Sequence, residues 1–224
     1  ICLNATATFT APVTTTGPAN VTYTWTVGSR TYTTSTPTLN IPAEIRGTAG
    51  TYPVSVVVAN ACETTSSIAL GTLTVKPALT QFTVSGGGSY CQSSPVALPI
   101  TLSGSQTGVS YTLFRGSTSV QTLAGTGGVL NFTPTSTIGT YTVRANYATV
   151  PTCTVTMLGN ATVTQNPLPT VTVNSPTTCA GIPTTVTAVP SGGSGTYTSY
   201  IWTVPSGWTD PLPTTASFQT TIPG

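Results

Sequence analysis

Histidine is absent from this sequence of 224 residues, and Asp and Glu together number only three. Without histidine, neither a Ser-His-Asp nor a Cys-His catalytic arrangement can form, and three scattered acids cannot supply the paired carboxylates of a glycoside hydrolase. Calcium needs six or more oxygen ligands with several carboxylates, which Glu44, Glu63 and Asp210 do not provide. We therefore predict a protein that is not an enzyme and has no metal or cofactor.

Charge is also scarce, since charged residues make up 4% of the chain against about 25% in an average soluble domain. The five basic residues are too widely scattered to form a nucleic-acid-binding stripe, so we expect no nucleic acid partner. No apolar run reaches the roughly 18 residues of a membrane span, and the N-terminus lacks the pattern of a signal peptide. We expect no membrane insertion, and we expect any targeting sequence to lie outside this segment.

Threonine and serine take the positions that charged residues usually occupy, and the chain also carries 22 Gly and 19 Pro. A β-branched threonine that alternates with valine gives a strand one apolar and one polar face without any charge. Frequent Gly and Pro supply the chain reversals between short strands. The composition therefore predicts an all-β protein.

The cysteines reveal an internal repeat. Cys2, Cys91 and Cys179 are 89 and 88 residues apart, and Cys62 and Cys153 are 91 residues apart. The sequence Gly-Thr-Tyr-x-Val begins at Gly50, before Cys62, and again at Gly139, before Cys153. A period of about ninety residues matches one immunoglobulin-like β-sandwich domain.

This period divides the chain into three predicted domains: residues 1–77 lack a first strand, residues 78–168 are complete, and residues 169–224 are truncated at the C-terminal end. We therefore expect the sequence to belong to a longer chain. For the complete domain we predict seven strands, at 81–84, 96–103, 110–114, 120–124, 129–132, 140–147 and 154–164. Glycine clusters at 86–88 and 192–195 are predicted turns. Proline in both junctions predicts a stiff, rod-like string of domains.

Aromatic residues mark the predicted cores. Trp25 lies in Tyr-Thr-Trp-Thr-Val and Trp202 in Tyr-Ile-Trp-Thr-Val, and each motif is typical of a central strand that places its tryptophan inside a sandwich. Leu113 is the predicted equivalent in the second domain. Tyr52 and Tyr141 are predicted tyrosine corners, with the hydroxyl bonded to backbone at the preceding turn. Trp208 follows Pro-Ser-Gly, so either loop packing or contact with a ligand explains it.

In combination, these residues resemble the PKD-like and Ig-like repeats of giant secreted surface proteins of Bacteroidota, including gliding-motility adhesins. The resemblance rests on a cysteine ahead of the second strand, Tyr-x-Trp, the run Tyr111–Gly116, Gly-Thr-Tyr-x-Val, a late cysteine and the linker Asn166–Pro169. It implies secretion to the bacterial cell surface and a structural stalk or fibre built from tandem β-sandwich domains. Its partners would be adjacent repeats of the same polypeptide. Threonine-rich edge strands carry few charges that would prevent strand pairing, so they favour lateral self-association into fibres.

Two alternative functions remain open. A ligand-binding adhesin module would take a surface glycan or protein receptor, and Trp208 is its candidate contact. An accessory domain of a secreted enzyme would require a catalytic domain elsewhere in the polypeptide.

All five cysteines are expected to form disulfides, because an exported β-rich chain with periodic cysteines and no CxxC spacing is typical of a disulfide framework. Pairing within domains would join Cys2 to Cys62 and Cys91 to Cys153. These positions are expected at opposite poles of one sandwich, about 25 Å apart by strand length, whereas a disulfide needs Cα atoms within about 7 Å. The alternative joins Cys2 to Cys153 across the first junction, and pairs Cys62, Cys91 and Cys179 with cysteines of neighbouring domains.

Overall fold

The structure is a computed structural model that describes residues 1–12, 20–204 and 212–221. The chain forms two compact units: residues 1–84, 101–130 and 142–159 belong to the first, and residues 85–100, 131–141 and 160–224 to the second. Among the described residues, no helix is long and apolar enough to cross a membrane.

Regular structure is almost entirely β. In chain order the elements are β1 (Thr8–Thr10), β2 (Thr22–Val27), β3 (Arg30–Thr34), β4 (Thr38–Asn40), α1 (Ala43–Arg46), β5 (Gly50–Ala59), β6 (Ile68–Val75), β7 (Val84–Cys91), β8 (Leu98–Leu102), β9 (Val109–Arg115), β10 (Thr118–Ala124), β11 (Leu130–Thr135), β12 (Gly139–Tyr147), β13 (Val150–Thr156), β14 (Ala161–Asn166), β15 (Thr170–Val173), β16 (Pro183–Ser191) and β17 (Ser217–Thr221).

The first unit opens with a four-stranded antiparallel sheet of order β3-β2-β5-β6 and a two-stranded sheet of β1 and β4. Valine, tyrosine and tryptophan alternate with threonine along β2, so every second side chain is buried. Trp25 is fully buried in the core of this region and donates its indole N–H to Thr34 Oγ1 at 2.9 Å. The predicted role of Trp25 as a core anchor is confirmed.

The first unit continues with the order β10-β9-β12, and β13 pairs antiparallel with β12. Tyr111, Leu113 and Val143 are at most 1% exposed, whereas the residues between them on β9 and β12 face outward. The buried position predicted for Leu113 is confirmed.

In the second unit the strand order is β12-β14-β7-β8-β11. The first three residues of β12 pair antiparallel with β14, and β14 pairs parallel with β7. A separate antiparallel sheet has the order β15-β16-β17. The all-β class with Ig-like or PKD-like sandwiches is thus confirmed.

Both predicted tyrosine corners are present. The Tyr52 hydroxyl donates to the Thr48 carbonyl at 2.9 Å, and the Tyr141 hydroxyl donates to the Thr137 carbonyl at 2.7 Å. In each case the bond reaches back four residues, to the backbone just ahead of the strand that begins with Gly-Thr-Tyr.

The prediction that residues 86–88 form a turn is wrong, and so is the strand placed at 81–84. Strand β7 begins at Val84 and contains all three glycines, each with positive φ. A Cβ on Gly87 would lie 2.8 Å from the Thr162 backbone nitrogen on β14, so this strand needs glycine for close approach to its parallel neighbour. The second cluster, 192–195, is a turn as predicted.

Two other predicted strands differ from the structure. The single strand expected at 154–164 is two strands, β13 and β14, because Gly159 adopts φ of 71° between them. The segment 200–204 is not a strand, and Trp202 is half-buried rather than enclosed. Its indole donates to the Thr215 carbonyl at 3.0 Å and its ring packs edge-to-face on Phe218.

Candidate functional site

The structure contains a disulfide between Cys2 and Cys153, whose Cα atoms are 5.4 Å apart although 151 positions separate them in the sequence. It joins a residue of predicted domain 1–77 to a residue of predicted domain 78–168. This is the pairing across the first junction that the second of the two cysteine schemes predicts. Cys153 is buried, at 7% exposure, and lies on β13.

Backbone contacts hold Cys2 beside the linker that follows β6. Cys2 and Lys76 form a parallel β-bridge, and the Lys76 backbone N–H donates to the Ile1 carbonyl at 2.9 Å. Because Pro77 follows at once, the chain leaves β6 in an extended course with φ fixed by the proline ring. The start of the sequence is therefore held beside the linker.

Tyr147, at the end of β12, contacts the same linker from the other predicted domain. Its hydroxyl donates to the Pro77 carbonyl at 3.0 Å, and the Lys76 ammonium lies 5.5 Å from the centre of its ring. Burial raises the pKa of the Tyr147 phenol, and a further contribution comes from Tyr111. The hydroxyl therefore stays protonated at neutral pH and remains a donor.

Thr80 and Gln81 make further hydrogen bonds to the second predicted domain. The Thr80 N–H donates to Gln106 Oε1 at 2.7 Å, and the Gln81 side-chain amide donates to the Thr156 carbonyl at 2.8 Å. The predicted junction thus contains one covalent bond and several hydrogen bonds along residues 76–81.

We define the junction site as Cys2, Lys76, Pro77, Tyr147 and Cys153. The sequence predicted its cysteines and its proline but not Lys76 or Tyr147. The role of Tyr147 could not be read from local sequence, because its hydroxyl bonds a carbonyl 70 positions earlier in the chain.

Cys91, like Cys2, pairs in parallel with a residue that precedes a proline. Cys2 bridges Lys76 in parallel, and Cys91 pairs in parallel with Asn166, which like Lys76 is followed by proline. The Gln92 N–H also donates to the Asn166 carbonyl at 3.0 Å. The two early cysteines therefore lie beside equivalent X-Pro linkers.

Cys62 lies in a tight turn after β5. The side-chain oxygen of Asn60 accepts the backbone N–H of Cys62 at 2.9 Å and that of Glu63 at 2.8 Å. Cys62, Cys91 and Cys179 are all exposed free thiols in the described part of the chain. Their predicted bonds to cysteines of neighbouring domains stay a prediction.

Trp208, the candidate ligand contact, lies outside the described residues. In the second unit, a depression of about 300 Å³ is lined chiefly by apolar and aromatic side chains, among them Val171, Ala188, Tyr197, Ile201 and Trp202. Within the described ranges, no group of three or more Cys, Asp or Glu side chains is placed to hold a metal ion.

Comparison with known families places residues 1–70 in a match to the PKD domain family. A search of curated proteins finds no match. The matched segment covers β1 to the start of β6, which is most of the first predicted domain.

Solved structures of Ig-like proteins give low similarity over most of the chain. The human OSCAR ligand-binding domain is 12% identical, covering 73% of this chain and 92% of its own, with a TM-score of 0.35. The full ectodomain (Ig1–Ig3) of mouse nectin-like molecule 4 is 10% identical, covering 98% and 85%, with a TM-score of 0.42. Three N-terminal domains of the bacteriophage RB49 Hoc protein are 18% identical, covering 86% and 67%, with a TM-score of 0.33.

Proposed function

We propose that the chain is a stalk or fibre segment of a long secreted cell-surface adhesin, in which consecutive β-sandwich domains are covalently joined across their junctions. The domains would be residues 1–77, 78–168 and 169–224, and the adjacent repeats would be one another's partners. PKD and Ig-like sandwiches are typically non-catalytic and extracellular, and disulfides persist in oxidising compartments. The bacterial surface of the resembled Bacteroidota proteins is the proposed location.

The Cys2–Cys153 disulfide carries this proposal. A bond within one domain would stabilise that domain alone, whereas this bond closes a loop that contains the first predicted domain and most of the second. Under tension applied to the chain ends, force would pass through the disulfide instead of through the loop. Residues 3–152 would then stay folded or at least unextended, which suits a protein that transmits load.

The equivalent setting of Cys91 supports a repeated arrangement. If Cys91 bonds the late cysteine of the following domain, its loop begins inside the loop of Cys2 and Cys153, so consecutive loops overlap. An overlapping series would leave no junction to be extended without breaking a covalent bond.

Pulling single molecules by handles at both ends tests the proposal. A variant with Cys62, Cys91 and Cys179 replaced by serine keeps only the bond of interest. Reduction should release residues 3–152, and the sequence separation of 151 between the cysteines gives about 500 Å of added contour length at roughly 3.5 Å per residue. A further variant with Cys2→Ser and Cys153→Ser should show the longer extension without reductant.

Two results would overturn the proposal. One is the same extension before and after reduction in the variant that retains Cys2 and Cys153. The other is a peptide map of the native, non-reduced protein in which Cys2 is joined to Cys62. Lateral self-association is a separate part of the proposal, and sedimentation of the same oxidised chain over a concentration series would detect it.

A further inference from the structure

We propose that Arg144 and Phe114 form a binding site for a carboxylate-bearing sugar residue, such as a uronate of an acidic polysaccharide. The site lies on the outward face of β9, β12 and β13 in the first unit. It goes beyond the stalk function, because a stalk can transmit load with or without it.

The two side chains meet because of strand register. On β9 the buried residues are Val109, Tyr111 and Leu113, so Phe114 faces outward, where it is half-buried. On β12, Arg144 is exposed and lies opposite Thr156 of β13. The Arg144 guanidinium carbon lies 5.2 Å from the centre of the Phe114 ring, within the range of a cation–π contact.

These residues line a depression of about 280 Å³ together with Gly116, Ser117, Thr142 and Thr156. This volume is near the lower limit of roughly 300 Å³ for small-molecule sites, which suits one sugar ring better than a larger ligand. Ser117, Thr142 and Thr156 each bring a hydroxyl, which both donates and accepts hydrogen bonds and so complements the hydroxyls of a sugar.

Arg144 has no acidic partner in the described part of the chain. Of the described acids, Glu44 accepts a bond from the Tyr32 hydroxyl and Glu63 belongs to the turn of Cys62, both in the first predicted domain. An arginine in cation–π contact with an aromatic ring still has N–H groups that can bind a carboxylate in a fork. A ligand carboxylate would therefore supply the negative charge that no described residue places beside Arg144.

A single cation also limits the kind of anion. Polyphosphate chains and nucleic acids are bound by several clustered cations, and this chain has only five, widely scattered. A ligand with one negative charge and many hydroxyls fits one arginine surrounded by threonine and serine. A charged sugar within an otherwise hydroxyl-bearing polymer has this chemistry.

The test is titration of the full, oxidised chain with an oligogalacturonide and, separately, with a neutral gluco-oligosaccharide of equal length, followed by NMR shifts and calorimetry. The native chain should bind the uronate oligomer saturably and the neutral one at least roughly tenfold more weakly, the loss expected when a charge-assisted bidentate pair is absent. Arg144→Gln should reduce uronate affinity by about tenfold, and Arg144→Lys by a smaller factor, because lysine keeps the charge without the fork.

Arg30→Gln is the matched control, since it removes the same charge from an exposed strand residue outside the depression. It should change uronate affinity less than about twofold. Phe114→Leu should weaken binding with the fold intact, as thermal unfolding would verify. Equal losses for Arg30→Gln and Arg144→Gln would show nonspecific charge attraction and overturn the proposal, as would equal affinity for both oligosaccharides or no saturable uronate binding.

Discussion

Two segments with nearly the same sequence, Tyr23–Val27 and Tyr200–Val204, have different structures. The first forms most of β2, hydrogen-bonded to β3 on one side and β5 on the other, and Trp25 is fully buried. The second has no strand structure, Trp202 is half-buried, and Ile201 next to it is 96% exposed.

The difference lies in the strands available to pair with each segment. Val58, Val56 and Val54 of β5 lie opposite Tyr23, Trp25 and Val27 in the register of the sheet. Among the described residues, no strand pairs with 200–204. Since strand stability comes mainly from cross-strand packing and burial, a sequence can specify which side chains would face inward without itself forming a strand.

Replacing each tryptophan with alanine gives the largest expected difference between the two segments. Trp25→Ala should lower the free energy of unfolding of its sandwich by about 3 to 5 kcal/mol, because it leaves a large cavity and removes the indole hydrogen bond to Thr34 Oγ1. Trp202→Ala should cost about 1 kcal/mol, because its half-exposed ring loses fewer contacts.

Hydrogen exchange of peptides from each segment would measure these local costs separately, which is needed because a chain of several domains does not unfold in one step. Protection of β2 and β5 amides should fall strongly in Trp25→Ala. Similar losses of protection around both tryptophans would contradict the comparison and would indicate that 200–204 is paired in solution.

The two glycine clusters extend the comparison, since one lies within a strand and the other in a turn. Gly87→Ala should destabilise by about 3 kcal/mol, because the new Cβ would clash with the Thr162 backbone and the residue would keep a φ of 76°. Gly193→Ala should cost about 1 kcal/mol, since only its φ of 63° is unfavourable and the nearest atom, Pro169 Cβ, lies at 3.5 Å.

Thermal unfolding of the two variants beside the native chain would compare these costs. Exchange of β14 amides would identify where the Gly87→Ala damage lies. If Gly87→Ala unfolded at the same temperature as the native chain, β7 would not approach β14 as closely as it does in the structure.

What could be predicted from the sequence depended on whether the signal was local or periodic. Alternation of threonine with apolar residues predicted β2 and the buried Leu113, and Gly-Thr-Tyr predicted both tyrosine corners, because each depends on residues a few positions apart. The disulfide scheme followed from the ninety-residue period and from the length of a strand. All of these signals can be recognised without knowing which strands pair.

The missed features depend on strands that are distant in sequence. The glycines at 86–88 have the composition of a turn, and only their pairing with β14 shows that they form a strand. Residues 200–204 have the composition of a strand, but no strand in the described ranges pairs with them. Tyr147 could be placed inside a sandwich by alternation, but its bond to the Pro77 carbonyl requires the linker to pass over the end of β12. Neither local propensity nor the period contains that information.

The smallest expected effect compares the two tyrosine corners, the repeated feature whose geometry is the same in both places. Tyr141→Phe should cost about 1.5 kcal/mol, because Tyr141 is 1% exposed and the Thr137 carbonyl loses a bond in a partly buried setting. Tyr52→Phe should cost about 0.5 kcal/mol, because its bond to the Thr48 carbonyl is exposed and water can replace the hydroxyl. Denaturant unfolding monitored by exchange at β12 and β5 would give both values. Equal costs would mean that solvent access does not set the strength of these bonds, and that the repeated sequence alone determines their contribution.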